Sequence, residues 1–188
     1  MIKRRRLNKA LVIETAAALA NRLGSVDALS LKALAAELDI RVPSLYNHID
    51  GMDGLQRDLT LYGARLLLTR LRQAILGKSG REAIMAVAAE VRAFAYEQPA
   101  IYPLTIRAPE PDETELIQLS QELIQILLLL LTSFGLQGDE ATHAIRGLRA
   151  LIHGFITIDL AEGYKMALDK EESFSWLLQT YLDGLERP

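Results

Sequence analysis

Five side chains that can hydrogen-bond a nucleic acid crowd into one short stretch: Arg41, Ser44, Asn47 and His48, with Tyr46 at their side. On a helix their spacing gathers the first four on one polar face. Arg41 and Asn47 can donate to base edges, while Ser44, Tyr46 and His48 can reach phosphate oxygens. Such a face enters the major groove only if it is slim and if the second helix of a pair carries it.

The residues just upstream supply that pair. Ser30 is a good N-cap, and Leu31, Leu34, Ala35 and Leu38 make one apolar face behind it. Asp39-Ile40-Arg41 is a very short break, and Pro43 then sits in a first helical turn, where its missing N–H costs nothing. Leu45 and Ile49 are the apolar residues of this second helix, which Asp50-Gly51 ends. Ala35 is the small residue a steep crossing needs. Asp39 falls where the turn needs a positive φ; glycine is the usual solution, and aspartate tolerates that region better than most residues. Ser30 and Lys32 open the first helix of the pair, whose free N–H groups can seat a phosphate.

Charge points the same way. The net charge of −3 conceals a split: residues 1–60 carry +2 and the remainder −5. Lys3, Arg4, Arg5, Arg6 and Lys9 precede the first acid, Glu14. A basic arm on an acidic body suits contact with a polyanion, lying along the phosphate backbone or entering the minor groove. A solubilising tail is the plainer use of the same charges.

The elements that must position this constellation are helices. Leucine and alanine dominate, glycine and proline fall at boundaries, and period-two alternation is scarce, so the fold class expected is all-α. A first helix is predicted from Asn8 to Leu23, with Gly24 stopping it and Val12, Ala16, Leu19, Ala20 and Leu23 facing inward. After the pair come a long helix from about Met52 to the 71–76 region, one over 81–97 and a short one around 100–107. Three more are predicted over 113–134, 139–163 and 170–185.

Composition excludes several classes. The absence of cysteine removes disulfide frameworks, cysteine-based zinc sites and a cysteine nucleophile. No eighteen-residue uninterrupted apolar run exists, residues 126–131 being a typical short one, so no membrane partner is expected. The basic start lacks a following apolar h-region, and a cytoplasmic protein is expected. His48, His143 and His153 are scattered without metal-ligand spacing, and no phosphate-binding glycine loop or nucleophile elbow is evident. Neither a metal, a cofactor nor an enzymatic activity is therefore expected.

The stretch from Leu29 to Leu55, above all Leu45-Tyr46-x-His48-Ile49 and the following Leu55, resembles the DNA-binding region of the TetR family of transcriptional regulators. Further on, Glu97-Gln-Pro-Ala-Ile-Tyr-Pro-Leu104, Leu151-Ile-His-Gly-Phe155 and Glu172-Ser-Phe174 resemble a carboxy-terminal domain type of that family marked by a His-Gly pair. The resemblance implies an all-helical homodimer, with residues 1–51 as the helix-turn-helix DNA-binding domain and 52–188 as the helical ligand-binding and dimerisation domain. It implies repression of a near-palindromic operator on double-stranded DNA, relieved by a small-molecule effector. By the same resemblance Tyr46 and His48 would contact phosphates, and Arg41, Val42, Ser44 and Asn47 would face bases. Two positions depart from the family pattern: Asp39 in place of the turn glycine, and Met52 in place of a backbone-binding lysine.

In the second half, Gly147, Ala150, Gly154 and Ala161 make a stripe of small residues that permits close helix approach. Its partner is either a second subunit or another helix of the same chain. Arg149, His153 and Thr157 form a row that could line an effector pocket or an interface. Phe94, Tyr102, Leu127, Phe155 and Trp176 could wall an apolar cavity or belong to plain core. A helical module using its basic arm on acidic proteins or membranes is the rival from another class, and it predicts indifference to changes at Tyr46 and Asn47.

Overall fold

The structure, a computed structural model, describes residues 7–186. Among them lie eight α-helices and three 3₁₀ turns, with no strand, as an all-α chain requires. The helices are α1 (Lys9–Leu23), α2 (Leu31–Glu37), α3 (Val42–Leu45), α4 (Gly51–Ala74), α5 (Gly80–Glu97), α6 (Thr114–Leu131), α7 (Gly138–Leu160) and α8 (Lys170–Leu185). The chain divides into two compact units: Met1–Leu66 with Glu97–Leu116, and Leu67–Tyr96 with Ile117–Pro188.

The first unit is held by local caps and a small core. Asn8 caps α1 by accepting from the Leu11 N–H at 2.8 Å, and Gly24 ends it in the left-handed region. Ser30 caps α2 through the Ala33 N–H. Val12, Ala16, Ala20, Leu34, Leu45, Leu55 and Leu59 are fully buried, each large aliphatic one contributing about 2–3 kcal/mol. Leu23, at the end of the predicted apolar stripe, is 46% exposed because α1 stops there.

Two glycines of α4 admit close neighbours. A Cβ on Gly63 would stand 2.6 Å from the Ile101 side chain, and one on Gly54 would stand 2.8 Å from Asp50 Cβ. Gly63 thereby seats the segment 98–105 against α4, and Asn21 of α1 fastens it too. Asn21 donates to Gln98 at 2.7 Å and accepts from the Ala100 N–H at 3.0 Å. The short helix predicted around 100–107 is only a 3₁₀ turn, Tyr102–Thr105, since Pro103 offers no N–H.

The second unit packs longer helices. Ile84, Phe94, Leu131, Ile156, Phe174, Leu178 and Leu182 lie at its centre with almost no exposure. Helix α8 has the predicted bounds, 170–185, with Asp169 capping it by accepting from the Glu172 N–H. Helix α7 ends three residues before the predicted Gly163. Glu162 turns left-handed there (φ 54°), and the Gly163 N–H returns to the Ile158 carbonyl at 2.8 Å, the two marks of a Schellman ending.

By length and composition one stretch of the described residues, Thr114–Phe134, is apolar enough to cross a membrane, with mean hydropathy 1.5 and 17% of it buried. Polar residues interrupt its first half, which is why no uninterrupted run is visible in the sequence.

Candidate nucleic-acid interface

The turn between α2 and α3 sets the geometry of the candidate interface. Leu38 ends α2, Asp39 adopts φ 54°, and the Ile40 N–H donates to the Ala35 carbonyl at 3.0 Å while the Asp39 N–H donates to Ala36. That is a Schellman motif with aspartate at its left-handed position, where the sequence required a residue tolerant of positive φ. Ala35, 2% exposed, is the small residue beneath the turn.

Helix α3 is a single turn. Pro43 lies in its first turn as predicted, but the regular helix stops at Leu45 rather than continuing to Ile49. The His48 N–H bonds the Leu45 carbonyl at 2.8 Å, an i to i−3 contact that tightens the chain into turns before Asp50 and Gly51. Leu45 and Ile49 are buried at 0% and 3% exposure, and they pin the segment from both ends. Arg41 and Asn47 are exposed and Tyr46 is 56% exposed, whereas Val42, Ser44 and His48 are half-buried. The polar face of the segment is turned to solvent.

Around it, Ser30 and Lys32 are exposed at the start of α2. The Ser30 oxygen is already an acceptor for the cap, so its hydroxyl hydrogen is what it could offer a phosphate. Lys9 pairs with Asp58 at 2.8 Å and Arg22 with Glu37 at 2.7 Å, which bind α1 to α4 and α2. Met52 is half-buried in the first turn of α4. Lys3, Arg4, Arg5 and Arg6 lie outside the described residues.

Of the residues assigned to an effector pocket, Tyr102 is buried within the first unit. In the second unit Phe94 is wholly buried with Arg70 over its ring, Leu127 and His153 are half-buried, Arg149 is exposed and Trp176 is 66% exposed. Burial, and secondarily the Arg149 charge, depress the His153 pKa to about 4, so its imidazole is neutral at pH 7. Phe155 packs against Tyr164 and Phe174, with ring centroids 4.8 and 5.0 Å apart.

The small-residue stripe of α7 divides. Gly147 faces Tyr181 of the same chain: a Cβ there would lie 2.6 Å from its hydroxyl oxygen, which donates to the Ala144 carbonyl. Ala150, Gly154 and Ala161 are exposed, and nothing lies within 4 Å of a Cβ on Gly154.

One cluster escaped the sequence reading. The Arg92 guanidinium lies 5.2–5.7 Å from the ring centroids of Tyr96, Phe155 and Phe174 and pairs with Glu171. Asp159, almost fully buried, accepts from the Tyr96 hydroxyl and the Lys170 ammonium and lies 3.8 Å from Arg92. Burial of a carboxylate is tolerable only with such partners. Residues 92, 96, 159, 170 and 171 come from three helices, so no local pattern announces them.

Comparison with known proteins adds the family. Residues 84–181 match the model of a tetracyclin repressor-like C-terminal domain. The chain is 31% identical over 180 residues to the HTH-type transcriptional regulator YobS of Bacillus subtilis strain 168, covering 95% of this chain and 93% of that one. It is 27% identical over 183 residues to the HTH-type regulator Rv0681 of Mycobacterium tuberculosis, covering 97% and 83%. Among solved structures, a Rhodococcus sp. RHA1 protein has a TM-score of 0.80 at 20% identity, covering 95% of each chain. The TetR protein of Acinetobacter baumannii AYE has a TM-score of 0.69 at 20% identity, covering 97% and 98%. With the helix-turn-helix geometry and these relatives together, the chain belongs to the TetR family of helix-turn-helix transcriptional regulators.

Proposed function

We propose that this regulator is a cytoplasmic, non-enzymatic repressor that binds a near-palindromic operator as a homodimer and is released by a small molecule. One observation carries the DNA reading: Leu45 and Ile49 are buried while Arg41, Tyr46 and Asn47 stand in solvent on a one-turn helix held by a tight turn. Arg41, Val42, Ser44 and Asn47 face base edges, and Tyr46 and His48 grip phosphates. Ser30 and Lys32 hold the phosphate beside the start of α2, and the arm of residues 3–6 neutralises further backbone charge. In this division of labour residues 1–51 read DNA, and 52–188 dimerise and bind the effector.

The dimer forms through the outer faces of α7 and α8. Ala150, Gly154 and Ala161 allow close approach, and the exposed Ile158 and Trp176 supply apolar area that a second subunit would cover. A twofold dimer then spaces its α3 helices about 34–36 Å apart, one turn of B-DNA. In the effector's favoured state that spacing differs, and affinity for the operator falls by the differential binding of the two states. The region of the second unit about Phe94, Leu127 and His153 is the proposed place of the effector. Minocycline in the crystal structure of an Acinetobacter baumannii TetR variant is an instance of a small ligand on this fold.

The test is footprinting on the DNA upstream of the protein's own gene, with Asn47→Ala and Arg5→Ala variants. Asn47→Ala should relax base choice, and Arg5→Ala should weaken all DNA evenly and flatten the salt dependence. If neither variant alters binding, these residues do not read DNA. Trp176, the single tryptophan, should shift its emission to the blue as the protein associates. No shift over the association range would remove α8 from the interface.

A further inference from the structure

We infer that the corner between α7 and α8 is a binding site for a small aromatic carboxylate. A cleft of about 240 Å³ opens there within the second unit. Its apolar walls are Phe155, Tyr164, Met166 and Leu168, and its charged lining is Lys165 and Lys170, with no carboxylate among the lining residues. The volume suits a one-ring molecule rather than a drug-sized one. Of the residues assigned to the effector cavity only Phe155 borders this cleft, and the site does not rest on the DNA reading.

Three features select the ligand's chemistry. First, Met166 is 81% exposed and Leu168 69% exposed, so the loop holds two large apolar side chains in water that a flat hydrophobic body would cover. Phe155 is buried at the base with Tyr164 tilted against it, 4.8 Å between centroids and 37° between planes, and the half-buried Tyr164 is the aromatic side chain a ring could meet. Second, the Lys170 ammonium is steered by its bond to Asp159, which occupies one of its three donors and leaves two for an anion. Lys165 bonds only loosely to Glu162, at 3.3 Å with both side chains in solvent, so it can swing to a ligand. Third, apart from Glu162, which stands in solvent off the lining, the acids nearby are already engaged. Asp159 holds Lys170 and Tyr96, Glu171 holds Arg92, and Asp169 caps α8. A cationic ligand would meet two ammonium groups and no acceptor carboxylate on the wall.

Methyl-labelled methionine NMR on the full chain tests this, since the sequence has only Met1, Met52, Met85 and Met166. Phenylacetate should shift the Met166 methyl saturably and leave Met85 in place, whereas phenethylamine should not shift Met166. Lys165→Gln and Lys170→Gln should each weaken phenylacetate about three- to tenfold, and the first, being an exposed lysine, leaves the fold intact. The proposal is overturned by any of four results. These are no saturable shift of Met166 up to about 10 mM, a weaker limit than specific recognition would give; an equal response to phenethylamine; a response at Met85 in place of Met166; or affinity unchanged by both lysine variants. Operator binding enters none of these measurements, so the outcome is separate from that of the DNA reading.

Discussion

The two units use polar groups in opposite ways. In the first, charged and polar side chains around α3 stand in water, and the scaffold beneath them is apolar and local: the Schellman turn at Asp39 and the anchors Leu45 and Ile49 lie within eleven residues. In the second, Arg92 and Asp159 are drawn inward, and their 3.8 Å approach joins residues far apart in sequence. Exposed polar groups are free to meet a partner and contribute little to folding, whereas enclosed ones are structural, because each lost partner leaves a desolvated charge. Substitutions in the two units should therefore separate binding from stability.

The sharpest test of that contrast is Asp159→Ala. It removes the acceptor of Tyr96 and Lys170 and leaves Arg92 without its buried neighbour. A loss of about 2–3 kcal/mol in urea unfolding is expected, below the range for a fully enclosed pair because Lys170 can rehydrate. A neutral result would mean the cluster is not structural. On the other side, Asn47→Ala should leave the urea midpoint unchanged and cost about 1–3 kcal/mol in operator affinity, read by titration against the native and altered sites.

Acid should act on the second unit through His153. Its folded pKa of about 4 lies below the ordinary 6.5, so between those values the unfolded chain binds the proton and the folded one resists it. This contribution is complete above pH 6.5 and is lost as pH falls towards 4. The slope is at most about 1.4 kcal/mol per pH unit. His153→Gln should flatten that part of the stability profile, and an unchanged profile would reject it. The smallest effect belongs to the turn. Asp39→Gly should raise stability by about 0.5 kcal/mol by relieving the left-handed backbone, and a loss would show that the aspartate side chain earns its place.

How far the structure was legible follows the same contrast. Caps and breaks depend on neighbours within a few residues, so Asn8, Gly24, Ser30 and the bounds of α8 could be read from the chain itself. The polar face of α3 was legible too, but not its brevity, because i to i−3 bonding after Leu45 leaves no mark in residue type. The close seat at Gly63 depends on what packs opposite it. So does Gly147, which reads as one of four equivalent small residues yet alone faces Tyr181. Residue type makes Trp176 a candidate for a cavity wall or plain core, and only the fold reveals it in solvent. The Arg92 cluster was invisible for the plainest reason: its members are ordinary charges on ordinary helices until three of those helices meet.

A one-turn α3 has almost no internal hydrogen bonding of its own, so its shape is dictated by Leu45, Ile49 and the turn at Asp39. The outward positions are then interchangeable parts. A library randomised at Arg41 and Asn47, with the inward pair untouched, should yield folded variants retargeted to new DNA sequences.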